Sequence, residues 1–320
     1  MNEKIQKYLE KASKAYYEGN PIISDTLFDS LSEYYNLEEV VGHKETTGTC
    51  KHYTRLYSLQ KFYEDSNHKN PLENIKNLSY SPKLDGAAIS ILYYNGVLVR
   101  VLTRGDGIEG KDITDKFLES SIIPKSINSK ETFIQVSGEI VAHKNIENSR
   151  NYAAGALNLK DINEFKTRAV EFFAYDVYPH QSLTYEHDMV WLSNNGFSTV
   201  KDQDIDKIYP TDGIVFRVNI HSEADKMGYT SHHPRFAYAL KERQETVETV
   251  ILDVEWNTGR TGVVTPVAIL EPVLLGDKEV SRATLHNKEF IETLDLWVGD
   301  TVAIRLAGMI IPEVVHKVEA

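Results

Sequence analysis

The sequence predicts an α+β protein with a small helical segment first, a largely antiparallel middle, and a small β-barrel last. Three observations carry that prediction. Apolar residues recur at helical spacing near the N-terminus and at a spacing of two from about Lys83 onward. Asn95-Gly96, the dipeptide favoured in type I′ turns, separates two strand-like runs in "AAISILYYNGVLVRVLTR", which makes those runs an antiparallel hairpin. Residues 246–320 are almost all strand-like, broken by Gly and Pro turns, as in a small closed barrel.

The elements follow in order. "NEKIQKYLEKASKAYYEG" places Ile5, Tyr8 and Leu9 on one helical face, and Gly19 can close the helix. "ISDTLFDSLSEYYNL" continues with Ser24 or Asp25 as N-cap and with Leu27, Phe28 and Leu31 on one face. Residues 42–56 are polar and irregular, and read as a linker. After the hairpin come the strand candidates "TFIQVSGEIVA", "VEFFAYDVY" and "DGIVFRVN". Helices do not alternate regularly with these strands, which points to α+β rather than α/β. The last region contains "ETVILDVEWNTG", "GVVTPVAILEPVLLG", "KEVSRATLHN" and "DTVAIRLAGMIIPEVVHKV", with "NKEFIETL" as one short helix. An OB-type barrel fits it best, and the chain is expected to stop before the final strand, leaving the barrel incomplete. The expected domains are 1–45, 46–245 and 246–320.

Composition sets the class. The chain has 320 residues, is 41% hydrophobic and 26% charged, and carries a formal charge of −12, the pattern of a water-soluble protein without a broad nucleic-acid-coating surface. No apolar run approaches the roughly 18 residues of a spanning helix. The charged, helical start "MNEKIQKYLEKA" is unlike a signal peptide. A single cysteine, Cys50, excludes an internal disulfide and a four-cysteine zinc site. The expected setting is a reducing cytoplasm, that of the host if the chain is viral, with no membrane association and no zinc.

Two motifs bear on chemistry. "RGDGIEG" (104–110) matches G-x-G-x-x-G, yet the dinucleotide-fold reading is rejected, because the strand entering it is a hairpin arm rather than part of a parallel strand–turn–helix unit. "SPKLDGAAIS" places Lys83 at the head of a strand. A lysine nucleophile needs an unprotonated amine, which neighbouring cations or desolvation arrange. Arg104, Arg217 and Lys241 supply cations in strand contexts. Asp85-Gly86, Gly138-Glu139 and Asp212-Gly213 supply carboxylates beside glycines, the hard oxygen ligands that Mg²⁺ prefers. Residue types alone do not show that these groups converge; most lysines are simply solvated surface charges.

The longer stretch "KLDGAAISILYYNGVLVRVLTRGDGIEGKDIT" closely resembles the adenylylation motif of bacterial-type NAD-dependent DNA ligases, a branch of the lysine nucleotidyltransferases. The resemblance continues in order through "GEIVA", "NSRNYAAGAL", "FFAYDV", "DGIVFRVN", "PRFAYALK", "GRTGVVTPVAILEPV", "VSRATLHN" and "RLAGMIIPEVV". It implies an antiparallel nucleotidyltransferase domain (ATP-grasp-like ligase) followed by an OB-fold. It also implies three chemical steps: Lys83 takes AMP from NAD⁺, AMP passes to the 5′-phosphate of a DNA nick, and the 3′-hydroxyl then displaces it. By the same resemblance Asp85 orients the lysine, and Arg104, Arg217 and Lys241 hold phosphate. Glu139 and Asp212 hold Mg²⁺ or Mn²⁺, with Glu139 and Lys241 also at the nucleotide. Tyr175 walls the adenine site opposite Ser58 and Leu59. Tyr16, Tyr17, Asp25 and Asp29 hold the nicotinamide half, the two aspartates being four apart on one helix face. Arg150, Arg260, Arg282 and Arg305 contact DNA.

The sequence departs from the family pattern at several positions. Ser81 stands where a glutamate reads adenine, Ser137 replaces an arginine, Arg217 a lysine, Phe28 a tyrosine, and Asn158 a DNA-contacting arginine. These changes bear on adenine and nick affinity more than on the covalent chemistry. An ATP- or GTP-using RNA ligase or capping enzyme is the same-class rival, disfavoured by the N-terminal helices; a silent nick-binding scaffold is the other. Residues 246–320 hold 12 acidic against 6 basic residues, so the barrel offers no broad cationic face. The resemblance therefore implies that sealing draws on a further DNA-binding part, expected as a second polypeptide or a missing segment.

Overall fold

The computed structural model describes residues 2–17, 22–35, 48–63, 70–241, 246–258, 264–276, 278–307 and 311–318. Two compact units emerge: Val41–Glu242, and Met1–Val40 together with Arg243–Ala320.

The larger unit is built from two main sheets. A five-stranded sheet runs in the order Val97–Thr103, Ala87–Tyr94, Phe133–Val141, Glu171–Tyr178, Ser198–Thr199. A four-stranded sheet runs Gln60–Tyr63, Ala237–Lys241, Thr211–Val218, Leu78–Leu84. Pairing is antiparallel except for one parallel pair at an edge of each sheet. Asn95 and Gly96 have φ of 47° and 77°, and Tyr94 faces Val97, as the hairpin reading requires. The "RGDGIEG" segment is a turn in which Asp106 accepts from the amides of Ile108 and Glu109 at 2.9 and 2.8 Å. It opens no helix, so the rejected dinucleotide reading stays rejected.

The chain passes from one sheet to the other at Leu84-Asp85-Gly86. A Cβ on Gly86 would lie 2.1 Å from the Ile140 carbonyl, so only glycine lets the lysine strand run this close to Phe133–Val141. Residues 42–56 were expected to be linker throughout; residues 42–47 lie outside the described set, but Thr49–Lys51 is a strand paired with Glu109–Lys111. Its polar side chains hid it, because a short edge strand needs only backbone partners.

In the smaller unit, helices Asn2–Tyr17 and Asp25–Tyr34 form as expected, with Ser24 Oγ accepting from the Leu27 amide at 3.2 Å. Gly19 lies outside the described residues. The helical stripe of Ile5, Tyr8, Leu9, Leu27 and Leu31 shares one core with Phe290, Leu294 and the barrel interior. Two helices of this length cannot enclose a core by themselves. Asn287 joins the parts, donating to the Tyr8 hydroxyl and the Ile22 carbonyl at 3.3 Å each.

The barrel is closed, in the order Val247–Thr258, Val264–Leu275, Lys278–Thr284, Ile311–Lys317, Thr301–Ala307. This corrects the expectation of a missing final strand. Within "DTVAIRLAGMIIPEVVHKV", Ile311–Lys317 turns back on Thr301–Ala307 and meets Thr284 through Glu313, which closes the barrel.

Candidate functional site

The sheet junction gathers the predicted groups. Lys83 was expected at the head of a strand but stands near the end of Leu78–Leu84, and its Nζ lies 2.8 and 3.0 Å from the two carboxylate oxygens of Asp212. Lys241 reaches the same carboxylate, at 3.0 Å from Oδ2. Asp212 sits at a register shift between Thr211 and Ile214, where Gly213 has φ 143° and a Cβ would lie 2.2 Å from the Leu240 carbonyl. That bulge turns the carboxylate toward both lysines. Burial would raise the Asp212 carboxyl, but Lys83 and Lys241 overcome it and hold it down at about 2.

Glu139 lies beside this triad. Burial pushes its carboxyl up to about 7, against the pull of Lys83, Arg150 and Arg104, while Asp85 adds to the rise. Asp85 itself is ion-paired with Arg150 at 2.7 Å. Arg104 donates to Ser58 Oγ through one terminal nitrogen, while its buried Nε finds no hydrogen-bond partner among the described residues. An orphaned guanidinium N–H fits an anionic oxygen arriving from outside. Tyr175 is half-buried, and its phenol is raised above the usual range, first by burial and then by Glu139. Leu59 packs with Phe62 and Leu240 on the apolar cluster under the four-stranded sheet.

Arg217 extends the site. Its guanidinium is ion-paired with Asp176 at 3.0 Å and lies over the Tyr185 ring at 4.6 Å. Ser81, buried, hydrogen-bonds Tyr185. Asp176 and Tyr185 escaped the sequence reading. Strict alternation would send Tyr175 and Asp176 to opposite faces, but a register shift opposite Ser137 and Gly138 leaves both half-buried. The only sequence signal for Asp176 was its adjacency to Tyr175 in "FFAYDV", and Tyr185 had none.

The remaining predicted residues divide. Tyr16, Tyr17, Asp25 and Asp29 belong to the two N-terminal helices, but their side chains lie outside the described set, as does Arg260 entirely. Arg282 is exposed and ion-paired with Glu255. Arg305 needs correcting as a DNA contact: it is 2% exposed, bonded to Glu313 at 2.7 Å, and donates to Ser30 Oγ. Its strand buries Val302, Ala303, Ile304 and Arg305 in succession, and a register shift between Ala303 and Ile304 breaks the alternation that would have turned the arginine outward.

Comparison with known proteins gives this architecture its class. Residues 45–208 match the NAD-dependent DNA ligase adenylation domain, and residues 248–320 match the NAD-dependent DNA ligase OB-fold domain. The chain belongs to the NAD-dependent DNA ligase family. It is 33% identical to a DNA ligase of Francisella tularensis subsp. holarctica over 378 residues, covering 98% of this chain and 56% of that protein. It is also 33% identical to a DNA ligase of Staphylococcus saprophyticus over 379 residues, covering 99% and 56%. The chain thus spans a little over half the length of these relatives. A solved structure, mycobacterial DNA ligase D complexed with ATP and MES, is 13% identical with a TM-score of 0.36, covering 72% of this chain and 83% of that one. Among the described residues no helix is long and apolar enough to cross a membrane.

Proposed function

We propose that this polypeptide charges Lys83 with AMP taken from NAD⁺ and passes it to the 5′-phosphate of nicked duplex DNA, whose 3′-hydroxyl then seals the break. The observation that carries the reading is the pairing of Lys83 and Lys241 with one carboxylate, Asp212, beside Glu139. In the first step the Lys83 nitrogen forms a bond to the α-phosphorus, the bridging P–O bond breaks, nicotinamide mononucleotide leaves, and the lysine ammonium gives up two of its three protons to solvent, keeping one on the new P–N nitrogen. In the second, the 5′-phosphate oxygen displaces the lysine nitrogen from phosphorus. In the third, the 3′-oxygen displaces AMP. Each is a displacement at phosphorus, so positioned cations do most of the work.

Arg104, Lys241 and Arg217 hold the phosphate oxygens, the orphaned Arg104 Nε being the donor in want of one. Asp85, fixed by Arg150, orients the lysine end of the strand. Tyr175 faces the base, with Ser58 and Leu59 opposite. Glu139 and Asp212 are the residues that would hold Mg²⁺ or Mn²⁺: both offer hard oxygens, and a carboxyl raised to about 7 by burial gains most from a cation. That ion supplies charge neutralisation at the phosphate. Tyr16, Tyr17, Asp25 and Asp29 take the nicotinamide half, and Arg150, Arg260 and Arg282 contact DNA. We place the activity in the cytoplasm and assign part of the nick affinity to a second polypeptide or a further segment.

Incubation with Mg²⁺ and adenylate-labelled NAD⁺ or ATP tests this reading. Covalent labelling from NAD⁺ alone, lost in Lys83→Ala, is expected. Labelling from ATP alone, or labelling that survives Lys83→Ala, overturns it.

A further inference from the structure

Away from the sheet junction, three side chains that the proposed reaction leaves unused converge in the larger unit. His180 follows the strand Glu171–Tyr178, Asp188 lies in helix Tyr185–Asn194, and His221 opens helix His221–Met227. The isolated bridge between Thr184 and Ile220 ties the two helix starts together. One imidazole nitrogen from each histidine and a carboxylate oxygen of Asp188 all lie within 4.8 Å of one another.

The partners of Asp188 are divided between its two oxygens. Oδ1 accepts from Ser182 Oγ at 2.7 Å and from the Gln181 amide at 3.0 Å, which fixes the carboxylate in place. Oδ2 is left to the imidazoles, with His180 Nδ1 at 3.1 Å and His221 Nε2 at 2.8 Å. The two rings stack with centroids 3.5 Å apart and planes 11° from parallel. A buried carboxylate shared by two histidines is most simply a structural clasp. One feature goes beyond a plain clasp: His221 is 8% exposed, and its Nε2 meets Oδ2 at 2.8 Å in a contact too bent for a straight hydrogen bond, so the ring nitrogens and the carboxylate crowd one point rather than pairing in line.

We propose that His180, Asp188 and His221 bind one divalent transition metal ion of the zinc class. Two imidazole nitrogens and one carboxylate oxygen form a borderline donor set, suited to zinc or cobalt and unlike the all-oxygen set that magnesium takes. Asp176 and Asp225 add negative charge nearby. Parallel rings cannot both aim a lone pair at one ion. Turning the His180 ring about its Cβ–Cγ bond brings its nitrogen round, and this side chain is 29% exposed against 2% for Asp188 and 10% for His221. The open side of His180 leaves the fourth position to water. On binding, the protons held on the coordinating nitrogens pass to solvent, as at any imidazole site. The site is separate from Glu139 and Asp212 and stands whether or not the ligase reading does.

The test uses the full chain, freed of metal by a chelator that is then removed, and equilibrium dialysis against Zn²⁺. The wild type is expected to take up one equivalent more than His180→Ala/His221→Leu, and Co²⁺ to give the strong visible bands of a tetrahedral site. His180→Ala alone should weaken Zn²⁺ binding at least about tenfold. That variant changes a half-exposed loop residue, so it decides the matter even if the double variant does not fold. Uptake and Co²⁺ spectra identical in wild type and His180→Ala overturn the proposal, as does absence of uptake by the wild type.

Discussion

Two ion pairs of nearly equal length lie in the two units of this protein, and they do opposite things. Lys83 meets Asp212 at 2.8 Å with the side chains 28% and 24% exposed; Arg305 meets Glu313 at 2.7 Å with 3% and 4%. Around Asp212 cations outnumber carboxylates: Lys83, Lys241, Arg104 and Arg150 stand against Asp212, Glu139 and Asp85. In the barrel the charges do balance: one arginine faces one glutamate and Ser30 takes another guanidinium N–H, so although the buried Nη2 of Arg305 finds no hydrogen-bond partner among the described residues, no net charge is left over. An unbalanced, water-accessible cluster has attraction left over for a polyanion, whereas a balanced, dry one has none. Distance alone says nothing about which is a site; access and charge count decide.

Substitution on each side separates the two roles, and the largest effect is expected at Lys83. Lys83→Ala should remove all covalent labelling while the fold holds, because Asp212 keeps Lys241. Arg305→Ala should do the reverse. It leaves the Glu313 carboxylate buried without its partner, which costs about 3–5 kcal/mol, and adduct formation measured below the lowered melting temperature should persist. Thermal melts and labelling on the same preparations check both. Equal loss of labelling in the two variants would erase the distinction.

A milder variant sharpens the contrast through pH. The Glu139 carboxyl is raised to about 7 from an unfolded value of 4.5. Between those values the folded chain binds more protons than the unfolded chain, so this group's contribution to stability is greatest below pH 4.5 and declines as pH rises through 7. Glu139→Gln removes that penalty. In chelator it should be more stable than the wild type at pH 8, by up to about 3 kcal/mol, with the difference vanishing near pH 4.5, while labelling collapses at every pH. Denaturant melts at the two pH values measure it. A stability difference that does not change with pH would place the carboxyl in water.

The same contrast shows how far the sequence could be read. The clustering of the candidate site was legible where glycine stood beside charge. At Asp85-Gly86 and Asp212-Gly213 a close backbone approach demands glycine, so the dipeptide marks a strand end turned into the junction. The hairpin was legible because Asn95-Gly96 is local chemistry. Bulges were not legible, since an extra residue in a strand depends on the partner strand. One bulge hid Asp176 behind Tyr175, and another turned Arg305 inward. The sharing of one core by the helices and the barrel was equally hidden, because an amphipathic stripe tells that a face is covered and not by what.

The smallest expected effect concerns an exposed counterpart of both pairs. Arg282 and Glu255 pair across the barrel strand Val264–Leu275 that lies between theirs, with side chains 52% and 46% exposed. Such a pair adds about 0–1 kcal/mol to stability, so Arg282→Ala should leave the melting temperature nearly unchanged. Its proposed role at DNA makes a finer demand. A phosphate reaching Arg282 must displace Glu255, and the surrounding barrel holds twice as many acidic as basic residues. Glu255→Gln removes the competitor along with one repulsive charge. Affinity for nicked duplex at low salt should therefore rise roughly twofold in Glu255→Gln and fall by a similar factor in Arg282→Ala, with the salt dependence of the latter shallower by about one counterion. Binding isotherms across a salt series distinguish the outcomes. If Glu255→Gln leaves nick affinity unchanged, Arg282 faces away from the DNA, and the pair is surface decoration beside the two that matter.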